Sequence, residues 1–189
     1  RMYAPEDFGL LNLFLSIGNV LVVLAIADYY YAIVLPKEEK DAVALTHISL
    51  LFLLITTILV ALSVLFSTPI SMIFKSPNLA KYYWLMPLYV LIMGMWNVLN
   101  YWYIRKKSFG RISGYQMSQS ILSAGGKLGL GYAIVLQGGM IYATVIAPFI
   151  ALLSSLLLSF RKTLRPLLFF SKIDVLTQAR VYRNFPCFV

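Results

Sequence analysis

Of 189 residues, 60% are apolar and only 12% charged, against about 25% charged in a soluble domain, and mean hydropathy is +0.81. Hydrocarbon rather than water is the natural solvent for most of this chain, and its length leaves room for a small helical bundle but not for a soluble domain beside it. The net charge of +9 comes from residues lying mostly between apolar blocks, so it reads as topology signal and anionic-lipid contact rather than as a nucleic-acid surface.

The single cysteine, Cys187, excludes an internal disulfide framework. No Cys/His cluster offers a metal site, and no cofactor motif is present. The chain opens on Arg1 without a signal-peptide pattern, as expected of a processed chain or a fragment.

The first apolar block runs from Phe8 to Ala27, with a possible extension through Leu35, and ends at the polar hinge Lys37-Glu38-Glu39-Lys40-Asp41. The second runs from Ala42 to Phe66, and Pro69, Ser76, Pro77 and Asn78 mark the loop after it. The third, Tyr82 to Ile104, carries Tyr82-Tyr83-Trp84 at one end and Tyr101-Trp102-Tyr103 at the other, the pattern of an interfacial aromatic belt. After Arg105-Lys106-Lys107 and Arg111 comes the fourth and most polar block, Ile112 to Leu136, and then the fifth, Met140 to Phe160. The basic stretch 161–189 reads as a juxtamembrane linker. Blocks of about 20 to 25 residues, at about 1.5 Å per residue, each span a hydrocarbon core of roughly 30 Å. The expected fold is therefore an all-α, polytopic membrane bundle of about five transmembrane helices, since lipid-exposed backbone must satisfy its own hydrogen bonds.

Five spans divide the connecting segments between two faces. Arg1, Lys75 and Lys81 fall on one, whereas the other collects Lys37, Lys40, Arg105, Lys106, Lys107, Arg111 and the six basic residues of the tail. The positive-inside rule makes the second face cytoplasmic. The N-terminus of the chain is then outside, as expected if a preceding helix is missing.

Lys127 is the informative side chain. The fourth block centres near Ala124, three residues or about 4.5 Å away, which puts an ammonium near mid-membrane, where it costs about 2.5–3.5 kcal/mol and usually faces a polar interior or a substrate path. Alternatively, Gly125-Gly126 break the helix and Lys127 reaches an interface. Gln116, Gln119, Ser120, Ser123 and Lys127 share one helical face, consistent with a wet cavity or with interhelical hydrogen bonds. Asn97 and Asn100, on one side of the third span, could join either arrangement. Gly125 and Gly129 form a small-xxx-small pair that would permit close helix approach. Asp28, at the end of the first span, is the candidate acid for ion coupling or for pairing with Lys127. His47 reads as interfacial. No paired carboxylates, Ser/His/Asp arrangement or P-loop appears, so an enzyme is not expected.

Several stretches, in order along nearly the whole chain, carry a resemblance: YAPEDFGLLNLFLSI (3–17), YYYAIVLPKEEKDAVAL (29–45), NYWYIRKKSFGRIS (100–113), QSILSAGGKLGLGY (119–132) and ARVYRNFP (179–186). Together they resemble the Wzx-type polysaccharide flippases of the MOP exporter superfamily. The resemblance implies a transporter of two six-helix lobes that turns an undecaprenyl-diphosphate-linked oligosaccharide across the bacterial inner membrane for O-antigen, capsule or exopolysaccharide synthesis. It places residues 1–160 as the second to sixth helices of the N-terminal lobe and 161–189 as the start of the connection to a second lobe. It also implies, as partners, the lipid-linked oligosaccharide, membrane lipids and the polymerase and chain-length machinery, and no nucleic acid. Where family members often carry an RYE-like triplet this chain has Asp28-Tyr29-Tyr30, and an Arg common near Gln116 is absent, which leaves Lys127 as the cation of this lobe. In that reading Lys127 neutralises diphosphate charge, while Gln116, Gln119 and Asn97, with Asn100 beside it, hydrogen-bond sugar hydroxyls. Competing readings are a multidrug/cation antiporter of the same superfamily, which would want buried carboxylates, and a membrane enzyme or scaffold of polysaccharide assembly.

Overall fold

The computed structural model describes residues 3–26, 29–133, 138–159 and 163–168, and every described regular element is helical. Helix α1 spans Pro5–Ile26. Proline at its first position needs no N–H partner, and the Asp7 carboxylate accepts a hydrogen bond from the Ala4 backbone N–H at 3.0 Å. The short α2, Tyr29–Ala32, follows, so the extension of the first block toward Leu35 is a separate turn rather than a longer helix.

Helix α3, Glu39–Ser63, passes through a 3-10 turn at Val64–Phe66 into α4, Ser67–Ile73. The helical path therefore runs beyond Pro69, and the expected loop begins only after Ile73. Pro69 is tolerated because it lies in the first turn of α4, where its missing N–H has no helical acceptor to lose. The reversal comes at Lys75, in the left-handed region with φ 51°. The Lys75 N–H bonds to the Met72 carbonyl and the Ser76 N–H to the Ser71 carbonyl, both at 3.0 Å, a Schellman closure. Helix α5, Pro77–Tyr82, leads through a 3-10 turn into α6, Met86–Arg105. A second Schellman closure ends α6 at Lys107, φ 52°, with Ser108 N–H bonded to the Tyr103 carbonyl at 2.9 Å.

Helix α7, Phe109–Ala133, is 25 residues long, about 37 Å. Helix α8, Gly139–Ser159, packs along it and carries Pro148 in its interior. The turn before α8 needs glycine: Gly138 has φ 92°, and the Tyr82 ring occupies the space a Cβ would take.

Among the described residues, four stretches are long and apolar enough to cross a membrane: Pro5–Ala25, Glu39–Ile73, Pro77–Arg105 and Gly139–Ser159. Helix α7, at 25 residues, lies within their range of lengths but is more polar. The protein is thus an all-α polytopic bundle, with five long helices among the described residues.

Helix α6 is its centre. It contacts α1, α3, α7 and α8, and 61% of its most apolar stretch is buried, against 22% for the α3 stretch. This overturns most of the expected aromatic belt. Tyr82, Tyr83, Trp102 and Tyr103 are buried and only Trp84 of those six is exposed, because the ends of a central helix meet other helices rather than headgroups. Gly94 admits the Leu53 side chain of α3 at the α3–α6 crossing. By contrast, α3 turns Leu51, Leu54, Ile55, Ile58, Leu59 and Leu62 outward, a lipid-facing surface.

At the basic end, Arg105 gathers the loop between α2 and α3. Its guanidinium donates to the carbonyls of Pro36 at 2.6 Å, Glu38 at 3.1 Å and Ile33 at 3.2 Å. Lys106 pairs with Glu39 at 2.6 Å. The hinge at 37–41 and the loop at 105–111 therefore share one end of the bundle. Of the basic tail, 163–168 folds back: Thr163 and Leu164 are buried, and Trp102 donates its indole N–H to the Thr163 carbonyl at 2.9 Å. The remainder of 161–189 lies outside the described residues.

Candidate functional site

Helix α7 is continuous through Gly125 and Gly126, which removes the alternative in which these glycines break the span. Its hydrophilic residues fall in two rows. Gln119, Ser123 and Lys127, at i, i+4 and i+8, form a half-buried row, whereas Gln116 and Ser120 are exposed. The half-buried row borders the seam with α8: at neighbouring Gly126 a Cβ would stand 3.4 Å from the Ala143 Cβ. Gly126 is thus the close-approach glycine. Gly125 and Gly129, expected as a packing pair, face open space; the seam lies one residue on, about 100° around the helix.

Lys127 lies six residues past the midpoint of the described helix, about 9 Å, and so nearer the end opposite Arg105–Arg111 than the sequence estimate of about 4.5 Å allowed. Its main-chain carbonyl accepts a hydrogen bond from the Tyr3 hydroxyl at 2.6 Å, which ties α7 to the start of α1. Among the described residues the Lys127 ammonium has neither a hydrogen-bond nor an ion-pair partner. A half-buried, unpaired cation on a helix between apolar neighbours has its charge free for a ligand or for water.

Asn97 and Asn100 are half-buried on α6. No hydrogen bond among the described residues joins either to a side chain of α7. The Asn100 Oδ1 is buried and without a partner. The five predicted polar residues lie on two helices in contact, with no hydrogen bond linking Asn97 or Asn100 to the α7 residues among the described residues. Asp28 lies outside the described residues. His47 is half-buried, its Nδ1 donating to the Val43 carbonyl at 2.9 Å, an ordinary helical back-bond.

Sequence reasoning missed two roles. Arg105 reads in the sequence as a topology charge but acts as a clamp on backbone carbonyls; the signal for it is its place two residues past Tyr101-Trp102-Tyr103. Tyr3 was read within a resemblance motif and not as a contact of α7, which lies 124 positions away.

All-helical architecture, apolar outward faces and a hydrophilic helix held against the bundle define a multi-pass membrane protein. The chain is matched over residues 1–178 by the model of a family described as polysaccharide biosynthesis protein, and it belongs to that family. No curated protein and no solved structure matches it.

Proposed function

We propose that this chain forms part of a transporter that flips undecaprenyl-diphosphate-linked oligosaccharide across the bacterial inner membrane, with α7 bordering the polar path. The observation that carries this reading is the unpaired, half-buried Lys127 in the row Gln119–Ser123–Lys127. An ammonium in an apolar bundle is costly, and a diphosphate would offset that cost directly. Gln116, Gln119, Asn97 and Asn100 supply amide groups suited to sugar hydroxyls. Alternating access around a site between two lobes then requires a partner lobe over the exposed face of α7. Family membership in polysaccharide biosynthesis supports the substrate class.

A cation antiporter would need carboxylates within the spans. The described acidic residues, Glu6, Asp7, Glu38, Glu39 and Asp41, all lie at helix starts or in the hinge; Asp28, at the end of the first span, lies outside the described residues and is the acid an ion-coupled mechanism would use. Transport and enzymatic roles separate by one measurement. In a strain lacking the protein, a lost flipping step leaves lipid-linked sugar inaccessible to an impermeant glycosidase added outside the inner membrane. A lost later enzymatic step leaves it accessible. Accessible lipid-linked sugar in the deletion strain would overturn the transport reading. With the basic end cytoplasmic, the carrier enters from that side, and the polymerase and chain-length machinery act on the product.

A further inference from the structure

Helix α8 is 21 residues long, about 31 Å, which matches a hydrocarbon core of roughly 30 Å. It uses that length fully. At the basic end Leu158 is 82% exposed, and at the other end Gly138, the residue before the helix, meets the Tyr82 ring. One residue past Tyr82, the Tyr83 and Ser63 hydroxyls share a hydrogen bond at 3.1 Å, which pins the end of α3 to the entry of α6. The chain between Ser63 and Tyr83 is therefore surplus to the crossing. It makes the 3-10 turn Val64–Phe66, α4, the reversal at Lys75 and α5, with α4 and α5 packed on each other as a hairpin.

The hairpin has two unlike sides. Leu65, Phe66, Pro69, Met72 and Ile73 recur at i, i+1, i+4, i+7 and i+8, and all are exposed; Leu65, Met72 and Ile73 are 80%, 68% and 76% exposed. The buried side chain of α4 is Ser71, whose hydroxyl donates to the Thr68 carbonyl at 2.7 Å. Helix α4 thus turns its apolar side outward and a serine inward, the reverse of a helix in water. Helix α5 does the opposite: Asn78 and Lys81 are exposed and Leu79 is buried. Lys75, at the reversal, is exposed as well. The hairpin contains no acid. Helix α5 contacts α1, which carries Glu6 and Asp7 in its first turn, yet neither lysine forms an ion pair among the described residues. Trp84, 54% exposed, stands at the foot of the hairpin.

An apolar side, a polar side, unpaired lysines and an exposed tryptophan are the composition that the boundary between headgroups and acyl chains accommodates. Two cations with no acid beside them on the hairpin select anionic headgroups there. The geometry points to an interfacial anchor: the α4–α5 hairpin lies in the leaflet opposite the basic end, α4 set into the acyl boundary and Lys75 and Lys81 on the phosphates of anionic lipid. The anchor is independent of what the protein carries, since it stands on the length of the crossing and on the two sides of the hairpin.

The test uses the full-length protein in a Cys187→Ser background, labelled with bimane at Met72→Cys and reconstituted into vesicles whose lipids carry bromine either high or low on the acyl chain. Leu54→Cys, nine residues before Ser63 or about 13 Å deeper, is the mid-membrane control. High bromines are expected to quench the Met72 label more than low ones do, and the Leu54 label is expected to show the reverse. Aqueous acrylamide is expected to quench the Met72 label only weakly. In mixed vesicles, brominating one lipid at a time is expected to show phosphatidylglycerol favoured over phosphatidylcholine at the Met72 label by about fivefold. Lys75→Asn with Lys81→Gln is expected to erase that preference and leave the depth unchanged, asparagine keeping the left-handed turn. Strong quenching by acrylamide puts the hairpin in water. Quenching by neither acrylamide nor bromine puts a protein surface over α4, and a Met72 depth equal to that of Leu54 makes the hairpin part of the crossing. Any of these three results, no preference for phosphatidylglycerol, or a preference that survives the double substitution would overturn the proposal.

Discussion

The Tyr3 hydroxyl donates to the main-chain carbonyl of Lys127 at 2.6 Å, joining the segment before α1 to the far part of α7. An α7 carbonyl within reach of Tyr3 fixes the level at which the unpaired ammonium leaves its helix. Burial, and secondarily the Asp7 charge, raise the Tyr3 hydroxyl above its ordinary pKa of 10.0. A raised pKa on an acid that is neutral when protonated means that the contribution is fully present below about pH 10 and is lost as pH rises through the folded value. Tyr3→Phe should lower stability by about 1 kcal/mol at neutral pH and remove this loss at high pH. Unfolding midpoints measured from neutral to strongly alkaline pH check both.

Removing the Lys127 charge should impair transport. In the full-length protein, Lys127→Ala is expected to lower surface polysaccharide while leaving membrane abundance near wild type, and Lys127→Arg to retain more because the charge stays. Normal export by Lys127→Ala would remove the ammonium from the mechanism. Immunoblotting of membranes beside the polysaccharide assay separates this from loss of protein.

The Arg105 clamp should matter for stability more than its charge does. Arg105→Lys keeps the charge but cannot reach several carbonyls from one planar fork, and Arg105→Leu abolishes the bonds. With hydrogen bonds to charged groups worth about 1.5–3 kcal/mol, Arg105→Leu should unfold earlier and expose residues 33–38 to protease. Arg105→Lys should fall between it and wild type.

Glycines on α6 and α7 should respond in opposite senses. Gly94→Ala drives a Cβ into Leu53 and should cost about 1–3 kcal/mol through overpacking. Gly125→Ala enters open space and should be neutral or stabilising by up to about 1 kcal/mol through helix propensity. Thermal unfolding of the two variants side by side reads the contrast.

Topology follows from the charges gathered at one end. Ser108→Cys at the basic end should resist an impermeant thiol reagent in intact cells, and Asn78→Cys at the opposite end should react, in each case against a Cys187→Ser background. Asn78 is exposed and tolerates the change, whereas Gly138 is held at positive φ against the Tyr82 ring. The reverse labelling pattern would invert the bundle.

The sequence alone determined that this is a helical membrane protein, where its long helices lie within a few residues, and which loops share an end. These follow from one-dimensional quantities: the length of apolar runs against bilayer thickness, and the placement of Lys and Arg between them. It also singled out Lys127, because a lone cation in an apolar run is visible without a fold. Which helix is central could not be read, because lipid is as apolar as a core residue and outward Leu59 looks like inward Leu53. Only packing made α6 the hub, turned Tyr82 and Trp102 inward, and chose Gly126 over Gly125 as the close-approach residue. Each of those outcomes depends on which element lies opposite, information carried by contacts between residues tens of positions apart and by no local period.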